Sequence, residues 1–141
     1  MATIDREDPE QYQAAKAILI QYLNEAHATE RALVSTLTAH IAITPRGAYR
    51  TLLERHLQET RAHATAVGDR LSDLGASAGI VSATVGLAET AIGQILTLAK
   101  GPLDMLRGHG GEEKLLKNAK DECATEALEI ATYDALEALG E

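Results

Sequence analysis

The stretch RHLQETRAH, residues 55–63, places two histidines and a glutamate where helical spacing would ask for leucine. On a wheel of about 100° per residue begun at Tyr49, the side chains of Tyr49, Leu52, Leu53, Val67, Leu71 and Leu74 gather around one direction. His56 and His63 fall within that arc, and Glu59 lies on its edge. Acids recur in the same way along the chain. Glu30 lies between the directions of Ala26 and Leu33, inside an apolar stripe. Glu89 is the only charge in residues 76–99. Glu126 shares an arc with Ala119, Cys123, Ile130 and Tyr133, and Glu129 lies on its border.

Carboxylates gathered in a low-dielectric interior must either take up protons or be compensated by cations. A pair of divalent metal ions supplies that compensation. Carboxylate-bridged sites in helical bundles draw one Glu from each of two helices, and a Glu with a second ligand three residues on from each of the other two. Here His56 stands three residues before Glu59, His63 four after it, and Glu129 three after Glu126. Spacings of three or four keep two ligands on one helical face. Carboxylate oxygens with imidazole suit iron or manganese, and zinc can enter the same site in a purified sample. The expected ligand set is Glu30, Glu59, Glu126 and Glu129, completed by His56 or His63 and by Glu89. Arg55 or Arg61 paired with Glu30 is the non-metal reading of that residue. For Tyr133 the expectation is a packing residue whose hydroxyl bonds a carboxylate.

These residues need helices to carry them, and the punctuation of the chain provides four helical segments with no strand-like alternation between them. The first runs from Pro9 to Ile43, with Asp8 as N-cap and Pro9 in the first turn, and it breaks at ITPRG. The second covers Ala48 to Leu74 and stops at Gly75; the third covers Ile80 to Lys100. After Gly101-Pro102, a short turn at Leu103–Leu106 and the RGHGG connection, the fourth runs from Glu112 to Leu139. Short turns between long helices predict an antiparallel up-down-up-down four-helix bundle in a single domain. In such a hairpin, residues equidistant from the turn lie at one height, because both helices rise by about 1.5 Å per residue. The midpoint of Glu30 and Glu59 falls on Thr44-Pro45, that of Glu59 and Glu89 beside Gly75, and that of Glu89 and Glu126 on Arg107-Gly108. All three coincide with breaks, so the four acids are expected at one level.

Composition narrows the function classes. Hydrophobic residues make up 45% of the 141 residues while aromatics are only 3%, so the core must be built from Ala, Leu, Ile and Val. A net charge of −8 argues against nucleic acid, which is bound by clustered Lys and Arg. The single cysteine, Cys123, excludes an internal disulfide and fits a reducing, cytoplasmic setting; a small buried apolar role is expected for it. No basic stretch followed by an apolar run opens the chain, so no signal peptide is expected. Residues 76–99 are too interrupted by Gly, Ser, Thr and Glu89 to read as a membrane span. RGHGG lacks the Lys-Ser/Thr and the preceding strand of a phosphate-binding loop. His27 and Glu122 lie on arc edges and are expected at the surface.

NEAHATERAL, HLQETRAH, VGLAE and EALEIATYDAL, in this order, resemble the ferritin-like superfamily and, more narrowly, its bacterial stress-linked YciE/YciF-type group, from about Tyr22 to Leu139. The resemblance implies a ferritin-like bundle with a di-metal centre, for which Glu30, Glu59, Glu126 and Glu129 are the best-matched positions. The chain departs from the pattern at three places. The superfamily's Glu-x-x-His is broken, since Ala62 follows Glu59 and Glu129 follows Glu126 at that spacing. Ala127 stands where the group often has His, and the group often carries a further C-terminal helix. The expected function is therefore metal binding, with Fe(II) oxidation or oxidant scavenging in stress protection; the alternative is a scaffold bundle with no working metal site. A second apolar strip, Leu128, Ala131, Ala135, Leu136 and Leu139, points to a homodimer.

Overall fold

The computed structural model describes residues 8–76 and 111–140. Within them lie three helices and no strand: α1 (Pro9–Ile43), α2 (Ala48–Asp73) and α3 (Gly111–Gly140). The expected helix over 80–100, the turn at 103–106 and Glu89 fall outside the described residues. The chain is thus all-helical where it is described, and α3 corresponds to the last of the four segments expected from the sequence.

Local chemistry sets the helix ends. The Asp8 carboxylate accepts from the backbone N–H groups of Glu10 (2.9 Å) and Gln11 (3.4 Å), covering donors that the first turn leaves unpaired. Pro9, which has no N–H to satisfy, occupies the first helical position. At the other end of α1, the Thr44 hydroxyl donates to the His40 carbonyl (2.7 Å), and Arg50 donates from α2 to the Thr44 carbonyl (3.1 Å), which clamps the hairpin turn. Helix α2 closes with Gly75 at φ +72°, where Gly75 N–H reaches the Ser72 carbonyl and Ala76 N–H the Leu71 carbonyl. This paired closure needs a left-handed residue at Gly75, and glycine adopts that conformation without steric cost.

Helices α1 and α2 form an antiparallel hairpin. Near the turn, Leu37 packs with Leu53 and Leu57; far from it, Leu23 and Ala26 pack with Val67 and Leu71. Each buried leucine contributes about 1.5–3 kcal/mol. Between these two apolar clusters the buried stripe of α1 carries Glu30, and that of α2 carries Thr60. Helix α3 lies against the hairpin with Tyr133 and Leu136 on the distal cluster and Glu122 beside His40. Its direction is therefore antiparallel to α1 and parallel to α2, the sense required of the last helix in an up-down-up-down bundle. Among the described residues no helix is long and apolar enough to cross a membrane.

Candidate metal centre

Glu30 is the most deeply placed acid. It occupies one position of the regular stripe Leu23, Ala26, Glu30, Leu33, Leu37 and is 1% exposed. One carboxylate oxygen, Oε1, accepts a hydrogen bond from the Tyr133 hydroxyl at 2.6 Å and lies 3.3 Å from His63 Nδ1. The other, Oε2, is buried with no hydrogen-bond partner. The role expected for Tyr133 is borne out. Arg55 pairs with Glu59 across one turn of α2 (3.6 Å), so it does not serve Glu30.

Helix α3 brings two further acids inward. Glu122 and Glu129, two turns apart, are both buried. Glu129 is pushed up to about 8, first by burial and then by the neighbouring charges of Glu30 and Glu126. Its Oε1 is buried without a partner. Burial also raises the Tyr133 hydroxyl, helped by its bond to Glu30, so Tyr133 remains a donor.

His56 reaches this group from α2. Its Nε2 lies 2.9 Å from Glu126 Oε1 and 4.0 Å from Glu129 Oε2. Single donor atoms of His56, Glu126 and Glu129 all lie within 4.8 Å of one another. On the opposite side of the ring, His56 Nδ1 lies 3.8 Å from Glu122 Oε2. His63, more than half exposed, stands edge-on to Tyr133 with ring centroids 6.0 Å apart.

Of the expected ligand residues, the structure gathers Glu30, His56, His63, Glu126 and Glu129. Glu59 does not join them. Its side chain is 56% exposed and turned toward Arg55. The cause is the rotation of α2: Thr60 faces the hairpin interior, and its neighbour Glu59 is swung away by about 100°. Glu89 lies outside the described residues. Two residues went unrecognised in the sequence. Glu122, expected at the surface, is buried against two imidazoles, and His40 holds its Oε1 at 2.6 Å. A usable signal was the Glu122, Glu126, Glu129 spacing of four and three, which lays all three on one side of α3. Cys123, expected in the core, is exposed. The wheel arc assigned to this helix is rotated relative to the face that packs.

The donor set fits a divalent metal. Glu30 Oε2, Glu122 Oε2 and Glu129 Oε1 are buried carboxylate oxygens with no hydrogen-bond partner, an arrangement that costs free energy unless a cation or proton completes it. Carboxylate oxygen with imidazole nitrogen is the donor chemistry that suits iron, manganese and zinc.

The model of a family described as Domain of unknown function (DUF892) matches residues 14–141. No curated protein and no solved structure matches the chain.

Proposed function

The chain belongs to the DUF892 family, a domain of unknown function, and we propose that it is a ferritin-like metal-binding protein whose carboxylates bridge a pair of iron or manganese ions. The observation that carries this reading is the gathering of His56, Glu126 and Glu129, three donor atoms within 4.8 Å of one another, together with buried oxygens of Glu30 and Glu129 that have no hydrogen-bond partner. His56, Glu126 and Glu129 would hold one ion, and Glu30 and His63 would offer donors to a second. Iron bound in such a set would supply oxidation of Fe(II) by oxygen or peroxide, a chemistry suited to protection against oxidative stress.

The chain's own residues prepare this site in definite ways. Glu129 retains its proton near neutrality because burial and three neighbouring acids, Glu30, Glu126 and Glu122, raise it, so a cation entering the site would displace that proton. Tyr133 fixes one oxygen of Glu30 and leaves the other free to ligate. His63, more than half exposed beside Glu30, would be open to an ion arriving from solvent. Zinc would occupy the same donors in protein purified without iron or manganese. Of the strip expected to carry a homodimer, Leu136 packs instead against the hairpin core, and exposed Leu116 and Ile130 on α3 would carry such a contact; the lone cysteine suits a cytoplasmic setting.

A second reading has its own support. With Glu129 neutral and Tyr133 satisfying Glu30, part of the cluster is stable without any ion. A non-enzymatic scaffold of this kind would bind no metal. Metal content and anomalous scattering decide between the two, using protein purified from iron- and manganese-supplemented cells. The metal reading expects an equivalent or more, lost in Glu30→Ala plus Glu126→Ala. Less than a few tenths of an equivalent, unchanged in that variant, selects the scaffold.

A further inference from the structure

His56 meets acids on both of its ring nitrogens, and the two sides differ. Nε2 faces Glu126 and Glu129, where a metal would sit. Nδ1 faces Oε2 of Glu122 at 3.8 Å, an oxygen that is buried and has no hydrogen-bond partner. The remaining oxygen of Glu122 is already engaged, 2.6 Å from His40 Nδ1. One carboxylate on α3 therefore stands between an imidazole from α1 and an imidazole from α2.

We propose that Glu122 is the positioning residue of the centre: it accepts the Nδ1–H of His56, which leaves the Nε2 lone pair for a divalent metal, while His40 anchors the carboxylate. The proposal rests on the metal-binding reading above. A neutral imidazole carries a single N–H, and the acceptor available to one nitrogen decides which nitrogen is left to ligate. The Nδ1 end faces a buried carboxylate oxygen with no hydrogen-bond partner, whereas the Nε2 end faces the carboxylates of Glu126 and Glu129, which would ligate the same ion. The remaining gap exceeds a hydrogen bond by roughly an ångström. A carboxylate anchored at Oε1 closes such a gap by pivoting about that oxygen, so Oε2 can follow the ring as it turns onto a metal. Partners of this kind orient ligating histidines, and their loss costs about 10–100-fold in metal affinity.

The test uses the full chain with Co(II) and Zn(II) as probes. Co(II) is titrated while its visible absorption is recorded, and 15N-histidine spectra are taken of the Zn(II)-loaded protein. Wild type is expected to ligate through His56 Nε2 with Nδ1 protonated. Glu122→Ala should lose about 10–100-fold in Co(II) affinity and shift the visible bands, with helix content retained. Glu122→Gln should fall between, since its one carbonyl oxygen serves either His40 or His56; it also replaces the alanine variant should that fail to fold. In a His56→Ala background, Glu122→Ala should cost nothing more, because its effect runs through His56. The proposal is overturned by wild-type affinity and bands in both Glu122 variants, by additive losses, or by ligation through Nδ1. A wild-type chain that takes up neither probe overturns the metal reading itself, and the proposal with it.

Discussion

A carboxyl group sunk beside three others keeps its proton, and at Glu129 this couples the fold to pH. Its value rises from the ordinary 4.5 to about 8 in the folded chain, so the folded state binds the proton more tightly than the unfolded state. The stabilisation is complete below the unfolded value and is lost as pH rises through the folded one. In chelator, the melting temperature of wild type should therefore fall relative to Glu129→Gln between about pH 5 and pH 8. Parallel melting profiles for the two proteins would contradict this. Tyr133→Phe removes the donor to a carboxylate that is 1% exposed and should cost about 1–3 kcal/mol in urea unfolding. At this scale the sequence was only partly legible. Glu30 could be read because it interrupts an otherwise apolar stripe. Glu59 was misplaced because a wheel gives the width of an arc but not which residue at its edge turns inward; Thr60 took that place. Glu122 looked solvated for the same reason.

The ends of the described helices were legible to within a residue or two because they depend on local chemistry. Asp8, Pro9 and Gly75 each act on backbone groups a few residues away, and no distant contact is needed to place them. Helix rotation is another matter. Helix α3 carries alanine on several sides, so its apolar arc does not single out one direction, and its packed face is fixed by Glu122, Glu129, Tyr133 and Leu136 meeting the hairpin. Gly68 within α2 and Gly75 just past its end yield opposite predictions for one substitution. Gly75→Ala places a Cβ in a left-handed conformation at φ +72° and should destabilise by about 1–2 kcal/mol. Gly68→Ala is interior to the helix, and its Cβ would meet His27 Nε2 at 3.4 Å, an ordinary contact. It should stabilise by about 0.8–1.0 kcal/mol. Chemical denaturation of both variants checks the pair, and a shared sign would refute the assignment.

Among the described residues, α1 and α2 are joined by two apolar clusters, whereas α3 meets them through few apolar side chains and a row of acids and histidines. Metal binding should therefore tighten α3 more than the hairpin. Mn(II) at 100 times its dissociation constant should add about 2.7 kcal/mol to stability. Amide exchange should slow most along Glu122–Tyr133, and His56→Ala with Glu129→Gln should abolish both effects. Leu37→Ala, at a fully buried position in the hairpin, should cost about 2–5 kcal/mol with or without metal. Finally, the chain has no tryptophan and four tyrosines, so its intrinsic emission is tyrosine emission alone. Tyr133 donates to a carboxylate at 2.6 Å, a pairing that drains its excited state. Any ligand that draws Glu30 Oε1 away from Tyr133 will brighten that emission, whereas one that takes Oε2 alone leaves the pairing in place, so the site carries, with no label attached, an optical gauge of which oxygen is taken.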